Sequence, residues 1–261
     1  MNDIFSLSGR HALVTGASGG LGRQFARTLA AAGALVTVAA RRADRCAETV
    51  TLIAAAGGRA QAVNLDVTDA AGVAAAFDAA TEMAGAPVDV VVNNAGVAVT
   101  KPALKVTEDD WDWVMDTNLK GVWLVAQEAA RRMAAPGPDG APRGGNIVNI
   151  ASIIAFRQGS RIASYAISKA GVVQLTKILA LELADKGIRV NALAPGYVIT
   201  DMNRDILEGP AGQVIVQRIP QGRFGRPEDL DGPLLLLASD ASSFMTGSVI
   251  AADGGQLVNS L

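Results

Sequence analysis

The sequence predicts an α/β fold: a doubly wound parallel sheet of about seven strands with helices on both faces. Three observations carry this. Short β-branched and apolar runs alternate with longer alanine-rich stretches of helical character. Most of the short runs are nearly continuous in apolar residues, without polar alternation, as suits parallel strands covered on both faces. The connections between them are long enough for helical crossovers, which such a sheet requires.

Residues 11–15 form the first expected strand, and a glycine-rich turn then opens a helix over 22–32. A strand at 35–40 precedes a helix at 44–56, and a strand at 60–65 precedes a helix at 69–84. Asp66-Val67-Thr68-Asp69 is a helix-start signal, with Thr68 as the expected cap. The strand at 88–93 leads to the longest helical stretch, 108–134. Asn118 falls inside it, where asparagine competes with the backbone. Its presence fits either a local helix distortion that exposes a carbonyl or a simple surface position. The Pro- and Gly-rich segment 135–145 is expected to be an exposed loop leading to a strand at 146–150. A helix at 164–186, a strand at 189–194, a helix at 227–238 and a strand at 249–252 complete the order. With no internal repeat and no linker, residues 1–261 read as one domain, with a flap at about 197–222.

Composition removes several function classes. A net charge of −2, from 23 basic and 25 acidic residues, offers no field for a nucleic-acid backbone. One Cys and one His exclude an intramolecular disulfide and a Cys/His metal site, and the lone His11 leaves little room for a Ser-His-Asp machine. No apolar run approaches the ~18 residues of a membrane span. The opening Met-Asn-Asp-Ile-Phe lacks the basic start and apolar stretch of a signal peptide. A cytoplasmic protein without nucleic-acid, membrane or metal partners is expected.

Thr15-Gly16-Ala17-Ser18-Gly19-Gly20-Leu21-Gly22 links the first strand to the first helix. Glycines there permit a tight turn and bring backbone N–H groups close to a pyrophosphate at the helix N-terminus. Any tight strand–helix turn uses glycine, so the turn alone is weak. The same stretch matches a Gly-x-Ser-x-Gly nucleophile elbow, but that chemistry needs a later histidine and His11 comes first.

The turn joins a larger set. Thr15-Gly16-x-x-x-Gly20-x-Gly22, Asn93-Asn94-Ala95-Gly96, Ser152 and Tyr165-x-x-x-Lys169 together resemble the short-chain dehydrogenase/reductase family. Asn118, Pro195-Gly196, Arg223-Phe-Gly-Arg-Pro-Glu-Asp and the ending Asp253-Gly-Gly extend the resemblance over nearly the whole chain. It implies a Rossmann-like sheet and oxidoreduction of an alcohol/carbonyl pair with a nicotinamide cofactor. It assigns Ser152 to the substrate oxygen, Tyr165 to acid/base work, Lys169 to the ribose and Tyr165, and Asn118 to a proton relay through water. It places Gly16, Ser18, Gly20, Leu21, Gly22, Asp66, Val67, Asn93, Ala95, Gly96, Pro195, Gly196, Val198 and Thr200 around the cofactor, with Tyr165 and Lys169. Asp66 fits a helix start equally well. A homo-oligomer, a tetramer or dimer packed through the two long helices and the C-terminal segment, is also implied.

The residue types suit this chemistry. Reducing a ketone by hydride leaves negative charge on oxygen, so a proton donor must stand beside it. An unperturbed phenol, with a pKa near 10, is too weak a base for the reverse step at neutrality. Lys169 shares a helical face with Tyr165, and its ammonium is expected to lower the phenol. Bringing the pKa down far enough takes roughly 3–4 kcal/mol of differential interaction.

Val38-Ala39-Ala40-Arg41-Arg42 decides between cofactors. Ala40 stands where an acidic residue would bind a ribose 2′-hydroxyl, and Arg41 stands where a guanidinium would grip a 2′-phosphate. Ser18 and Arg42 are placed to add to that grip. Gly19, Asp44 and Glu48 speak against it, so NADP(H) is the preferred reading and NAD(H) stays open.

Substrate choice is expected in two stretches. One, residues 153–164, holds Phe156, Arg157, Gln158 and Arg161; the arginines would hold an anion or face solvent or a subunit interface. The other is the flap, with Met202, Ile206 and Leu207 beside Gly209-Pro210 and Gly212. A 3-oxoacyl-carrier-protein reductase, an NAD-dependent sugar or polyol dehydrogenase and a non-catalytic nucleotide-bound regulator remain as alternatives. An intact Ser152, Tyr165 and Lys169 set speaks against the last.

Overall fold

Seven parallel strands form in the computed structural model of the chain, which describes residues 4–200 and 203–259. They are β1 (His11–Thr15), β2 (Leu35–Ala40), β3 (Arg59–Asn64), β4 (Val90–Asn93), β5 (Gly145–Ile150), β6 (Ile188–Pro195) and β7 (Val249–Ala252). The sheet order is β3-β2-β1-β4-β5-β6-β7. The chain therefore winds outward from β1 to one edge, then restarts at β4 toward the other. The reversal between β1 and β4 leaves a crevice at the C-terminal ends of the strands, where such sheets bind ligands.

Helices α1 (Gly20–Ala31), α2 (Ala43–Ala55), α3 (Ala70–Ala84), α4 (Glu108–Met115), α5 (Gly121–Met133) and α6 (Ala163–Leu183) follow in chain order. Two short helices, α7 (Arg204–Leu207) and α8 (Pro210–Val216), lie in the predicted flap, and α9 (Asp231–Ala238) precedes β7. Period-two alternation in each central strand builds the two layers. Ala12 and Val14 pack with Phe25 and Leu29 of α1 and Leu234 of α9, whereas Leu13 faces Phe77 of α3. Phe25 and Phe77 are fully buried, each contributing about 1.5–3 kcal/mol of burial. β3 is an edge strand, and its Arg59, Gln61 and Asn64 reflect that.

Several expectations are corrected. Thr68 does not cap α3; Asp69 does, accepting from Ala71 N–H at 3.0 Å, while Asp66 holds the Thr68 amide and hydroxyl. The stretch 108–134 is not one regular helix, because Asp116–Lys120 is a π turn between α4 and α5. Likewise 227–238 begins as a 3₁₀ turn over Pro227–Leu230. The segment after α5 is an exposed loop, as expected, and folds back on itself with Pro136 bridged to Pro142. Among the described residues no helix is long and apolar enough to cross a membrane, and no His/Cys/Asp/Glu group could hold a metal. Residues 1–3, Asp201, Met202, Ser260 and Leu261 lie outside the described residues, as do the side chains of Ile206 and Ala211.

Candidate active site

The glycine turn is locked to the turn after β4 by two side chains. Thr15 Oγ1 accepts from the N–H groups of Asn94 and Ala95, both at 3.0 Å, and Asn94 Nδ2 donates to the Thr15 carbonyl at 2.9 Å. Gly16 adopts φ +66°, and a Cβ there would come within 2.9 Å of Ala95 Cα. A Cβ on Gly22 would meet the Gly16 carbonyl at 2.4 Å. Both glycines are thus required by close packing. Gly19 and Gly20 differ, since around them a Cβ would find only Arg42 Nη2 at 3.8 Å and Thr200 Cβ at 3.9 Å. Helix α1 starts at Gly20 with no side-chain cap and no acidic residue in its first turn. Its leading N–H groups are therefore available to an anion. Leu21 packs beneath them against the core. This cradle fits a dinucleotide pyrophosphate. Asn94 was missed as a brace because its neighbours in the motif drew the functional reading; the doubled asparagine was the available signal.

The two arginines after β2 diverge. Arg42 Nη2 donates to Ser18 Oγ at 2.9 Å, over Gly19, whereas Arg41 reaches Asp66 at 3.9 Å. The Arg41–Asp66 pair is largely exposed and contributes little to stability. Asp66 sits below the usual carboxylate range, first through the Thr68 N–H it accepts and, despite some burial, also through the Thr68 hydroxyl and Arg41. Ala40 is buried at the strand end. Ser18 and Arg42 are thus joined over the glycine turn, with Arg41 directed to Asp66. Val67 is packed against Gly121 and is buried.

The other half of the crevice is made by β5 and α6. Ser152 leaves the end of β5 and starts a 3₁₀ turn over Ile153–Ala155, its Oγ accepting from Ile154 N–H at 3.3 Å. The Tyr165 phenol on α6 faces Ser152, whose hydroxyl favours the phenolate. Lys169, one turn on, is buried, with Nζ donating to the Ile150 carbonyl at 2.7 Å and lying 5.7 Å from the Tyr165 ring centroid. Burial pushes the Tyr165 phenol above its ordinary value; the Ser152 hydroxyl opposes this, and Tyr197 adds to it. The expected lowering by Lys169 is therefore not present in this state. Desolvation without a carboxylate partner instead brings Lys169 down to about 8.

Asn118 is fully buried in the π turn, so of its two sequence readings the helix distortion holds. Its Oδ1 accepts from Val97 N–H, and its Nδ2 donates to the Val97 carbonyl, both at 2.8 Å, and also to Ser168 Oγ at 3.2 Å. A Cβ on Gly96 would lie 3.3 Å from Asn118 Oδ1 and 3.8 Å from Lys169 Nζ, so all three meet at one point. Asn93 is turned into the core, where Nδ2 donates to Asn149, which donates to Thr176. Pro195 ends β6, and Gly196 N–H donates to Ala252 at 3.0 Å. Val198 bridges to Gly225, and Thr200 faces Gly20 across the crevice.

A doubly wound sheet with a glycine cradle on one side of the crevice and a serine–tyrosine–lysine cluster on the other defines a nucleotide-dependent oxidoreductase site. Comparison with known proteins agrees. A family model described as enoyl-(acyl carrier protein) reductase matches residues 16–256. The chain is 40% identical over 254 residues to a 2-dehydro-3-deoxy-D-gluconate 5-dehydrogenase of Escherichia coli K12, covering 97% of each. It superposes on a solved gluconate 5-dehydrogenase of Burkholderia cenocepacia in complex with NADP and tartrate (TM-score 0.92, 37% identity, 99% of each chain). It also superposes on an Agrobacterium tumefaciens protein with bound NADP, provisionally named a 2-deoxy-D-gluconate 3-dehydrogenase (TM-score 0.90, 43% identity, 99% and 100% coverage). The chain belongs to the short-chain dehydrogenase/reductase family. It is an oxidoreductase acting on CH–OH groups.

Proposed function

We propose that this chain is an NADP(H)-dependent enzyme that interconverts a secondary alcohol and a ketone on a polyhydroxy acid, with Tyr165 as the general acid/base. The observation that carries the reading is the Tyr165 phenol beside Ser152, with buried Lys169 5.7 Å from its ring, across the crevice from the glycine cradle. The substrate class is supported by the sugar-acid names of the relatives. NADP is supported by the arginines around Ser18 and by its presence in two related structures. NAD remains usable, since nothing at Ala40 excludes it.

Bound at the cradle, the dinucleotide supplies the hydride acceptor or donor. Ser152 holds the substrate oxygen, and Tyr165 gives or takes its proton. Lys169, cationic below about pH 8, favours the phenolate as it forms and presents its ammonium to the ribose. Asn118 holds the turn at Val97 and passes the proton outward through water. Residues 197–222 close over the substrate as a flap, and residues 1–261 work as one cofactor-binding domain. The enzyme is placed in the cytoplasm as a homo-oligomer. Half-exposed Trp113 and Ile178, with strongly exposed Leu181 and Val258, lie on the helical stretches and C-terminal segment such packing would use.

The test is absorbance of NADPH at fixed enzyme with a panel of keto-acids, polyols and neutral ketones. Turnover on sugar acids supports the reading. Turnover restricted to carrier-linked 3-oxoacyl substrates overturns it.

A further inference from the structure

The turn that begins at Ser152 is closed by its own backbone, with Ala155 N–H donating to the Ser152 carbonyl and Arg157 N–H to that of Ile153. Beyond it the chain runs through exposed Gln158 and Ser160 to Arg161, a non-glycine residue at φ +68°. Lys101 N–H holds the far end of this loop through the Arg161 carbonyl at 2.8 Å, but among the described residues no backbone bond ties 158–160 to a neighbouring element. The Arg157 side chain, half-buried rather than solvent-facing as one sequence reading had it, donates through Nη1 to the Gln256 carbonyl.

Gln256 is part of a firm element. It is buried and begins a 3₁₀ turn over Gln256–Val258. Asp253 holds that turn by accepting from Gly255 N–H at 2.9 Å and Leu257 N–H at 2.7 Å. A Cβ on Gly196 would come within 2.7 Å of Asp253 Cα, so the turn is seated on the end of β6. Its other side carries the base of residues 197–222, where Gln221 N–H donates to the Gly254 carbonyl at 3.1 Å.

We infer that Arg157 is a positioning residue, a tether from the Ser152 turn to the C-terminal turn that keeps Ser152 in register with Tyr165. The inference rests on the proposed role of Ser152. One charge-assisted bond to a sheet-anchored carbonyl fixes the turn at its free end. A loosened Ser152 would misplace the substrate oxygen, and a misplacement of about 1 Å can cost about 10²-fold in rate. The C-terminal turn then joins two things that must act together, the Ser152 turn and the base of the flap.

The experiment is a cycle of Ser152→Ala, Arg157→Ala and the double variant in the full-length enzyme, with Arg157→Lys as rescue. Rates are read on the best anionic and best neutral alcohol from the panel. Arg157→Ala is expected to lower kcat about tenfold on both, leave KM and the NADPH dissociation constant within threefold, and recover largely in Arg157→Lys. In the Ser152→Ala background it should cost less than twofold. Because the chain has two tyrosines, tyrosinate absorbance in a Tyr197→Phe background reads Tyr165 without substrate. Its midpoint should rise in Arg157→Ala as it does in Ser152→Ala.

A loss confined to the anionic substrate and to KM would make Arg157 a substrate contact and overturn the inference. So would a full multiplicative loss in the Ser152→Ala background with an unmoved tyrosinate midpoint. If Ser152→Ala alone costs nothing, the role of Ser152 itself fails, which is a separate outcome.

Discussion

Tyr165 and Lys169 pose opposite problems in one buried corner. The phenol is pushed up by burial while the ammonium, more deeply buried, is brought down to about 8. Reduction needs the protonated phenol, and Lys169 favours the phenolate left behind. The reduction rate should therefore be flat through neutrality and decline as pH rises through about 8, where Lys169 loses its charge; a flat profile to pH 10 contradicts this. Tyr165→Phe keeps the ring and should nearly abolish turnover while NADPH binding stays within several-fold, measured by fluorescence titration. At the phosphate end, Arg41→Ala and Arg42→Ala should each weaken NADP by roughly one to two decades and barely change NAD, from charge-assisted bonds of about 1.5–3 kcal/mol. Ala40→Asp should move preference toward NAD. Equal NAD and NADP affinities, unchanged in the arginine variants, would make both side chains solvated helix-start residues. The family resemblance, together with the scarcity of tyrosine and the strand-end position of Ser152, made Ser152, Tyr165 and Lys169 legible in sequence, which their spacing alone would not. It did not show that Arg42, rather than Arg41, engages Ser18, because that choice is a rotamer set by Gly19 and Asp66.

Elements were legible to the extent that their periodicity was simple. The apolar runs of β1, β2, β5 and β6 have one reading, and the strands fall within two residues of expectation. The π turn was foreshadowed only as an awkward asparagine, since a one-residue widening leaves no periodic trace over five residues. Thr68 and Asp69 were confused because either suits a cap; the geometry favours Asp69 once Asp66 has engaged Thr68. The π turn makes a test at this scale. Asn118→Leu fills the volume but strands the Val97 N–H and carbonyl, each costing about 1–3 kcal/mol if left unpaired. A melting temperature lower by several degrees, with turnover falling further than Tyr165-independent NADPH binding, is expected. Unchanged melting would show that water replaces Asn118 freely and that the turn does not depend on it.

At the scale of the whole molecule, the strand order was carried by the family resemblance. Seven apolar strands look alike to a periodicity argument, and nothing local says that β4 returns beside β1. Equally hidden was a polar network at the opposite end of the sheet from the site, centred on the one histidine. His11 Nδ1 lies 2.9 Å from the Ala86 carbonyl and must carry the proton, so Nε2 accepts from the Thr37 hydroxyl at 2.8 Å. Thr37 Oγ1 in turn accepts from Gln61 at 2.9 Å. Protonating His11 would turn Nε2 into a donor and leave the Thr37 hydroxyl proton without its acceptor. Burial lowers the His11 pKa below 6.5, despite the Ala86 hydrogen bond and the charge of Asp89. The unfolded chain thus takes up this proton first, so stability is full above pH 6.5 and is lost as pH falls below it. Asp89 works in a lower window with the opposite sign. Burial raises it, against the hydrogen bond from His11 N–H and the charge of Arg10, so the folded chain takes up that proton first as pH nears 4. The melting temperature should therefore fall between pH 7.5 and 5 through His11, before Asp89 offsets part of the loss. Differential scanning calorimetry of wild type and His11→Asn separates the two, since Asn keeps a donor near Ala86 but cannot titrate. The variant should melt lower at pH 7.5 and show a shallower slope between pH 7 and 5. As the chain has no second histidine, equal slopes in the two proteins would assign the acid sensitivity to carboxylates and remove His11 from it.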